Sequence, residues 1–539
     1  MIVDAQTDAI AQEIDTDICI VGGGTAGTVI AREFAGRPVR VCVLESGSRI
    51  PEPETQNLTD GENVGQAYFP LKTARPRILG GSSTRWDIPI GQNRVGVRIR
   101  PLDAIDFEQR DWVPHSGWPF AKSHLDPYYE RAQAVCQVEP PSYRPEDWQD
   151  RNTPVLPINN GDVQTVIYKF AHSKPFISDY LDEVAGSENV TVCLHSNVLE
   201  IETNHTGDCV ARLRASTLAG KQFSVRAQVY ILAAGGIEVP RLLLLSNRKQ
   251  PRGLGNEHDL VGRYFQEHPH FWSGMFVPIS RDFFQRTSLY NDIHSVKNVP
   301  VIGKLALTEA ALRREKLLNQ NIQFFRRDVP YPLFSAPGVT ALRNLLTGRR
   351  SNNGDQIRLG QQLATILSDF DEIAAAAWRR LKKPVTGTPT LPVVMFANMM
   401  EQIPDRESRV RLGPAKDAFG QNRVELDWRI SPAEIRSAIR TQQIIGQALE
   451  SAGLGKFYQQ LKEEKPPANT EGGYHHMGTT RMHGDPRQGV VDPNCRVHGL
   501  GNLFIAGPSV FPTGGYANPV LTIVALSLRL ADYLKSTRL

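Results

Sequence analysis

The chain has few cysteines, no long apolar run and no surplus of one charge, and each shortage removes a class of function. Its six cysteines, Cys19, Cys42, Cys136, Cys193, Cys209 and Cys495, show no paired spacing, which argues against a disulfide framework and for a reducing compartment. No uninterrupted apolar stretch reaches the ~20 residues that a membrane-spanning helix needs, so no membrane span is expected. The 61 basic and 57 acidic residues leave a formal charge of +4, scattered without the basic field that nucleic-acid binding requires. The first residues include Asp4, Asp8 and Glu13 and lack the basic and apolar regions of a secretory signal; a cytoplasmic location is expected. His475, His476, His483, Cys495 and His498 match neither HExxH nor paired CxxC spacing, so no metal site is expected. Gly80-Gly81-Ser82-Ser83-Thr84 lacks the GxSxG elbow of a nucleophilic hydrolase.

What remains is a 539-residue chain with 40% hydrophobic and 22% charged residues, long enough for more than one domain. Its partner is expected to be a small molecule.

Near the N-terminus Asp17 to Val21 reads as a buried strand, Gly22-Gly23-Gly24-Thr25-Ala26-Gly27 turns into a helix to about Phe34, and Val39 to Leu44 returns as a second strand. Gly22, Gly24 and Gly27 suit a dinucleotide: one makes the tight turn, one lets the backbone approach a pyrophosphate, one lets helix and strand pack closely. The helix N-terminus then faces the phosphates. Glu45, just after the second strand, is placed to accept from ribose hydroxyls and to repel a 2′-phosphate, which favours FAD or NAD over NADP.

A similar strand and turn recur at Val229 to Ala234 with Gly235-Gly236, and a third strand at Leu503 to Ala506. The expected fold is therefore α/β, with a discontinuous Rossmann-like nucleotide domain and an α+β second domain built from the connecting segments. Within these, Val393 to Phe396, Val410 to Leu412 and Val424 to Trp428 read as strands of one antiparallel sheet. Ser431-Pro432-Ala433-Glu434 reads as the capped start of a helix to about Ala452. Residues 357–382 carry apolar side chains at helical spacing between basic flanks; such a helix either packs on the domain or lies on a membrane surface or substrate channel.

Two C-terminal segments carry candidate chemistry. His475-His476 sits on a glycine-flanked loop, where an imidazole titrating near neutrality suits the uptake of an alcohol proton. Asn518-Pro519 precedes an apolar helix from Val520 to Leu534. Spacing alone leaves Asn518 either a helix cap or a side chain that binds a substrate oxygen beside a flavin held at the helix N-terminus.

These segments together resemble the glucose-methanol-choline (GMC) oxidoreductases, a family of FAD-dependent alcohol oxidases and dehydrogenases. The resemblance spans nearly the whole chain. It rests on Gly22-x-Gly24-x-x-Gly27 with Glu45, Gly80-Gly81-Ser82-Ser83, Ala234-Gly235-Gly236-Ile237-Glu238 with Leu242-Leu243, Glu401-Gln402-Ile403-Pro404, and the His475 and Asn518 segments in that order. The C-terminal motifs look most like the pyranose 2-oxidase branch and related bacterial sugar or glycoside oxidoreductases. The resemblance implies an FAD-binding domain from residues 1–110, 186–275 and 470–539, and a substrate-binding domain from 111–185 and 276–469.

It implies His475 as the catalytic base, with Asn518 as the second active-site residue. Cofactor contacts are implied for Gly22, Gly24, Gly27, Glu45, Gly80, Gly81, Ser82, Ser83, Ala234, Gly507, Asn518 and Pro519. Substrate contacts are expected from Gln402, Arg429 and Tyr474, by motif position. Arg85 stands where fungal pyranose oxidases bond a histidine to flavin, so noncovalent FAD is expected. Asp87 stands where those enzymes place a threonine, which puts efficient reaction with oxygen in doubt. The implied reaction oxidises a sugar, glycoside or polyol hydroxyl to a carbonyl by proton removal and hydride transfer to flavin N5. The electron acceptor is open among oxygen, a quinone and a carrier protein. The alternatives are a flavin-containing lyase on the same scaffold and an oxidoreductase acting on a non-sugar alcohol.

Overall fold

Ile18 to Val21 are buried on both faces, as befits a strand in a parallel sheet covered by helices on each side. In the computed structural model, which describes residues 1–91, 93–158, 160–280, 282–330 and 390–538, this strand is Glu13–Val21. It pairs in parallel with Val41–Leu44, Ile18 opposite Val41, and the helix Thr25–Phe34 connects the two. On its other edge lies Gln222–Leu232, which also pairs in parallel with Leu503–Ile505 through Tyr230 and Leu503. The two ends of the chain thus meet in one eight-stranded sheet. The helix Val520–Thr537 seals it by packing against Thr25–Phe34 and Lys122–Val135.

The second sheet has nine strands. Its order runs Gly455–Gln459, His270–Pro278, Thr390–Met400, Gln320–Pro330, Val299–Leu307, Val163–His172, Val95–Ile99 and Ile88–Pro89, with His294–Val296 beside Val299–Leu307. One face carries Ile167 and Ala171 into the main core, with Lys169 donating to Gln133 Oε1 (2.8 Å) under the helix Lys122–Val135. The opposite face carries Val166, Tyr168, Phe170, Ile302, Ala306 and Met399, which cluster with Tyr516. This second face looks onto the loop that contains Asn518.

Two sequence expectations are corrected. The strands expected within 391–430 do not share one sheet: Thr390–Met400 lies inside the nine-stranded sheet, whereas Arg409–Lys416 and Asn422–Asp427 pair with Gly61–Asn63 in a separate three-stranded sheet. Alternating apolar residues mark a strand but not its neighbour, which is chosen by distant chain. The segment boundaries shift for the same reason. Ile88–Pro89, Val95–Ile99 and His270–Pro278 leave the first sheet's segments 1–110 and 186–275 to join the second sheet.

The helix Pro432–Ser451 starts where expected, the Ser431 N–H donating to the Glu434 carboxylate. The amphipathic segment 357–382 lies outside the described residues. Among those described, no helix is long and apolar enough to cross a membrane.

Candidate active site

The glycine turn is shaped by two demands. A Cβ at Gly27 would stand 2.0 Å from the Gly22 carbonyl oxygen, and Gly22 itself has φ +106° with Ala233 O only 2.8 Å from where its Cβ would be. Packing therefore requires both glycines. Gly24 differs. Its backbone (φ −80°, ψ −170°) suits any residue, and a Cβ there meets only Gly81 Cα, at 3.8 Å. The room left at Gly24 would admit a bound group, at the N-terminus of a helix where an anion is favoured.

Glu45 is buried at this turn. Its carboxylate accepts from Gly23 N (2.8 Å) and Gly47 N (2.9 Å); burial raises its pKa, and those N–H groups and Arg77 oppose the rise. Gly80 N donates to Gly23 O (2.9 Å), which clasps the segment Gly81–Arg85 against the turn. Ser83 is spent on its own turn, donating to Gly80 O at 2.6 Å, while Ser82 is exposed. Ala234 and Gly507 follow the adjacent strands Gln222–Leu232 and Leu503–Ile505. The cradle fits a dinucleotide: the helix N-terminus for the pyrophosphate, Glu45 for a ribose.

His475 and Asn518 come together. Asn518 Nδ2 donates to His475 Nε2 at 3.1 Å, and both residues are buried. The helix-cap reading of Asn518 is not what the fold uses. Pro519 is the cap position, Asn518 makes no cap hydrogen bond, and its Oδ1 has no partner.

On its other side His475 Nδ1 lies 2.8 Å from His268 Nδ1, and His268 Nε2 lies 3.3 Å from Gly514 O. A carbonyl only accepts, so His268 Nε2 carries the proton. Burial holds His268 neutral, its pKa lowered to about 4, so its Nδ1 is an acceptor and His475 Nδ1 must be the donor. The lone pair of His475 is thereby assigned to Nε2, beside Asn518. Burial above all pushes the His475 pKa well below its usual value.

His476 is otherwise engaged. The Tyr68 hydroxyl donates to the Glu267 carboxylate and lies 2.9 Å from His476 Nε2, which must then be the donor to Tyr68. Glu267 organises the whole loop: fully buried, it also accepts from the backbone N–H of His268, Gly473 and His475, each at 2.9 Å. Neither His268 nor Glu267 was singled out from the sequence. Their signal was the run Gln266-Glu267-His268-Pro269-His270, whose ionisable residues have no apolar periodicity to serve.

The three expected substrate contacts fare differently from His475. Gln402 is saturated behind the site, where Oε1 accepts from Glu267 N (2.9 Å) and Trp428 Nε1 (3.0 Å) and Nε2 donates to Arg429 O. Arg429 lies at the surface and is paired with Asp427 at 2.8 Å. Both are structural, because a folded loop met their polar groups before any ligand. Tyr474 stands at the rim, 51% exposed and stacked on Phe69 at 4.2 Å.

The chain is similar to known oxidoreductases. Residues 404–527 match the family model described as GMC oxidoreductase. The chain is 23% identical to 2-methyl-1,2-propanediol dehydrogenase of Mycolicibacterium austroafricanum, over 96% of this chain and 95% of that protein. It is 22% identical to the fructose dehydrogenase large subunit of Gluconobacter japonicus, over 97% and 98% respectively. The fold is shared with formate oxidase, with a TM-score of 0.54 at 16% identity over 98% of this chain and 99% of that one. Dehydrogenases and oxidases do not favour the lyase alternative. Residues 404–527 thus form a GMC oxidoreductase domain, and the chain is an FAD oxidoreductase that acts on the CH–OH group of its donor.

Proposed function

We propose that the chain oxidises a sugar, glycoside or related polyol hydroxyl to a carbonyl, with His475 Nε2 as the base and Asn518 orienting the reacting oxygen. The observation that carries this reading is the buried His475–Asn518 pair, in which hydrogen bonding through His268 to Gly514 O turns the lone pair of His475 towards Asn518. FAD supplies the hydride acceptor. Burial keeps the His475 imidazole neutral and so ready to take the hydroxyl proton. Without a donor bound, Asn518 Nδ2 occupies the lone pair of His475; the reacting hydroxyl takes its place at Nε2 with its oxygen accepting from Asn518 Nδ2, while Asn518 Oδ1 is open to a neighbouring hydroxyl. Two similar proteins bear the names of a diol dehydrogenase and a fructose dehydrogenase, which supports a polyol donor.

FAD is proposed to be held noncovalently, since Arg85 is exposed on its short helical turn and has no nucleophilic atom suited to a flavin bond. The acceptor is proposed to be oxygen, a quinone or a carrier, and the six free thiols fit the reducing cytoplasm. The experiment is anaerobic mixing of the purified holoenzyme with a polyol panel. His475→Ala is expected to keep bound FAD while flavin reduction slows about 10²- to 10⁴-fold. Reduction at the wild-type rate would refute the assignment.

A further inference from the structure

The inner face of the nine-stranded sheet holds two cations that the reaction described above does not use. Partners in an antiparallel pair share a face. Arg98 opposite Phe170, Lys304 opposite Val166, Asn321 opposite Ala306 and His270 opposite Met399 therefore all project on the side of Tyr168. Contacts agree with the register. Lys304 Nζ stands 4.5 Å over the Tyr168 ring, Asn321 Nδ2 donates to Tyr168 OH at 3.1 Å, and Tyr168 OH donates to Tyr516 O at 3.2 Å, two residues from Asn518. The His270 ring is 6.4 Å from that of His475.

Lys304 is only 2% exposed, yet among the described residues it has no hydrogen bond and no carboxylate partner. Arg98, half-buried, has none either, and its Nε is buried without a partner. Several other buried cations have a carboxylate, Arg110 from Glu401, Arg100 from Asp103, and Arg75, Arg77 and Arg241 from Glu238, and buried Lys169 donates to Gln133 Oε1, Val138 O and Pro140 O. An isolated buried ammonium is costly, and burial, with the Arg98 charge, pushes the Lys304 pKa well below its usual value; a counter-charge brought into the site would restore the ammonium. Around the two cations, Asn321 Oδ1, His270 Nε2 and Asn518 Oδ1 are buried without partners as well.

We propose that Lys304 and Arg98 bind a carboxylate of the donor, so that the enzyme's substrate is a hydroxy acid or sugar acid whose hydroxyls meet Asn321, His270 and Asn518. This rests on the alcohol-oxidising reading of the same site. A carboxylate is favoured over a phosphate ester because burial and the neighbouring Arg98 charge push the Lys304 pKa well down, so the pair does not hold two full positive charges and matches one negative charge rather than the two of a phosphate ester.

The test compares matched donors in anaerobic flavin reduction: glycerate with glycerol, gluconate with glucitol, glucuronate with glucose, and glucose 6-phosphate as the phosphate arm. At least one acid is expected to exceed its neutral partner in kcat/KM by about 10- to 100-fold, the range of a charged hydrogen bond. Lys304→Met, which removes a buried charge and should fold, is expected to abolish that preference, and Lys304→Arg to retain it. Neutral donors that outperform every acid, a preference untouched by Lys304→Met, or preference for the phosphate ester would each overturn the proposal while leaving alcohol oxidation standing. If no donor reduces the flavin, the catalytic reading falls instead. The anion site is then judged by gluconate perturbation of the bound FAD spectrum: loss of the response in Lys304→Met supports it, and no response in the wild type refutes it.

Discussion

At the scale of single residues, the arrangement around His475 makes the direction of its lone pair a product of its neighbours. His268→Leu removes the acceptor for His475 Nδ1–H, leaves the tautomer free, and is expected to slow flavin reduction about 10- to 100-fold with FAD retained. His268→Asn, whose Oδ1 reaches nearly where Nδ1 was, should recover most of the rate. Equal losses in both variants would show His268 to be packing alone. The pH profile carries a second test. Burial lowers the His475 pKa, so the base stays unprotonated through the range where an ordinary histidine titrates, and its acid limb should lie below pH 6.5. Stopped-flow reduction rates that fall by half near pH 6.5 would contradict this. His475 itself was legible in the sequence as a loop histidine between glycines. His268 was not, because its role depends on Gln266 pairing with Met477 across the chain.

At the scale of elements, the first βαβ unit shows how far local pattern reaches. Strand, turn and helix follow one another within about one nucleotide's length of chain, and their boundaries were read within a few residues. The glycines of the turn separate packing from binding. Gly27→Ala sets a Cβ 2.0 Å from Gly22 O, and backbone cannot give way there; thermal unfolding should show destabilisation of about 3 kcal/mol or more, with FAD lost. Gly24→Ala meets nothing closer than 3.8 Å, so the apoprotein should melt as the wild type does while FAD titration shows weaker binding. If Gly24→Ala bound FAD normally, the room at that position would not be serving the pyrophosphate. The last helix is an instructive contrast, since Asn-Pro ahead of an apolar run signals a cap, and here Pro519 takes that position while Asn518 turns to His475.

At the scale of the whole molecule, the two sheets and their connecting segments are held in register by buried charge as well as by apolar packing. Arg110 pairs with Glu401 where both side chains are essentially inaccessible, and Glu401 also accepts from Asn319 N at 3.0 Å. This joins the segment after Ala104–Phe107 to the end of the strand Thr390–Met400. Glu401→Gln leaves a buried guanidinium without its counter-charge, a change expected to cost about 3–5 kcal/mol and to lower the unfolding midpoint. An unchanged midpoint would mean that water or another acceptor takes over. Sequence reading took Glu401-Gln402-Ile403-Pro404 as part of a family resemblance and Gln402 as a substrate contact. In the fold Gln402 accepts from Glu267 N behind the loop that presents His475, and Glu401 holds Arg110.

The sequence by itself determined the dinucleotide turn, the order of strands and helices that surround it, and the two C-terminal segments that supply His475 and Asn518. Those features arise from φ/ψ freedom, apolar periodicity and capping, which act within a few residues. Tertiary structure alone decided which strands became neighbours, that Glu267 and His268 stand behind His475, that Gln402 and Arg429 are spent on structure, and that Lys304 and Arg98 share a face with Tyr168. Each of these depends on contacts between residues tens to hundreds of positions apart, where the chemistry of one side chain is set by a partner that no local pattern identifies.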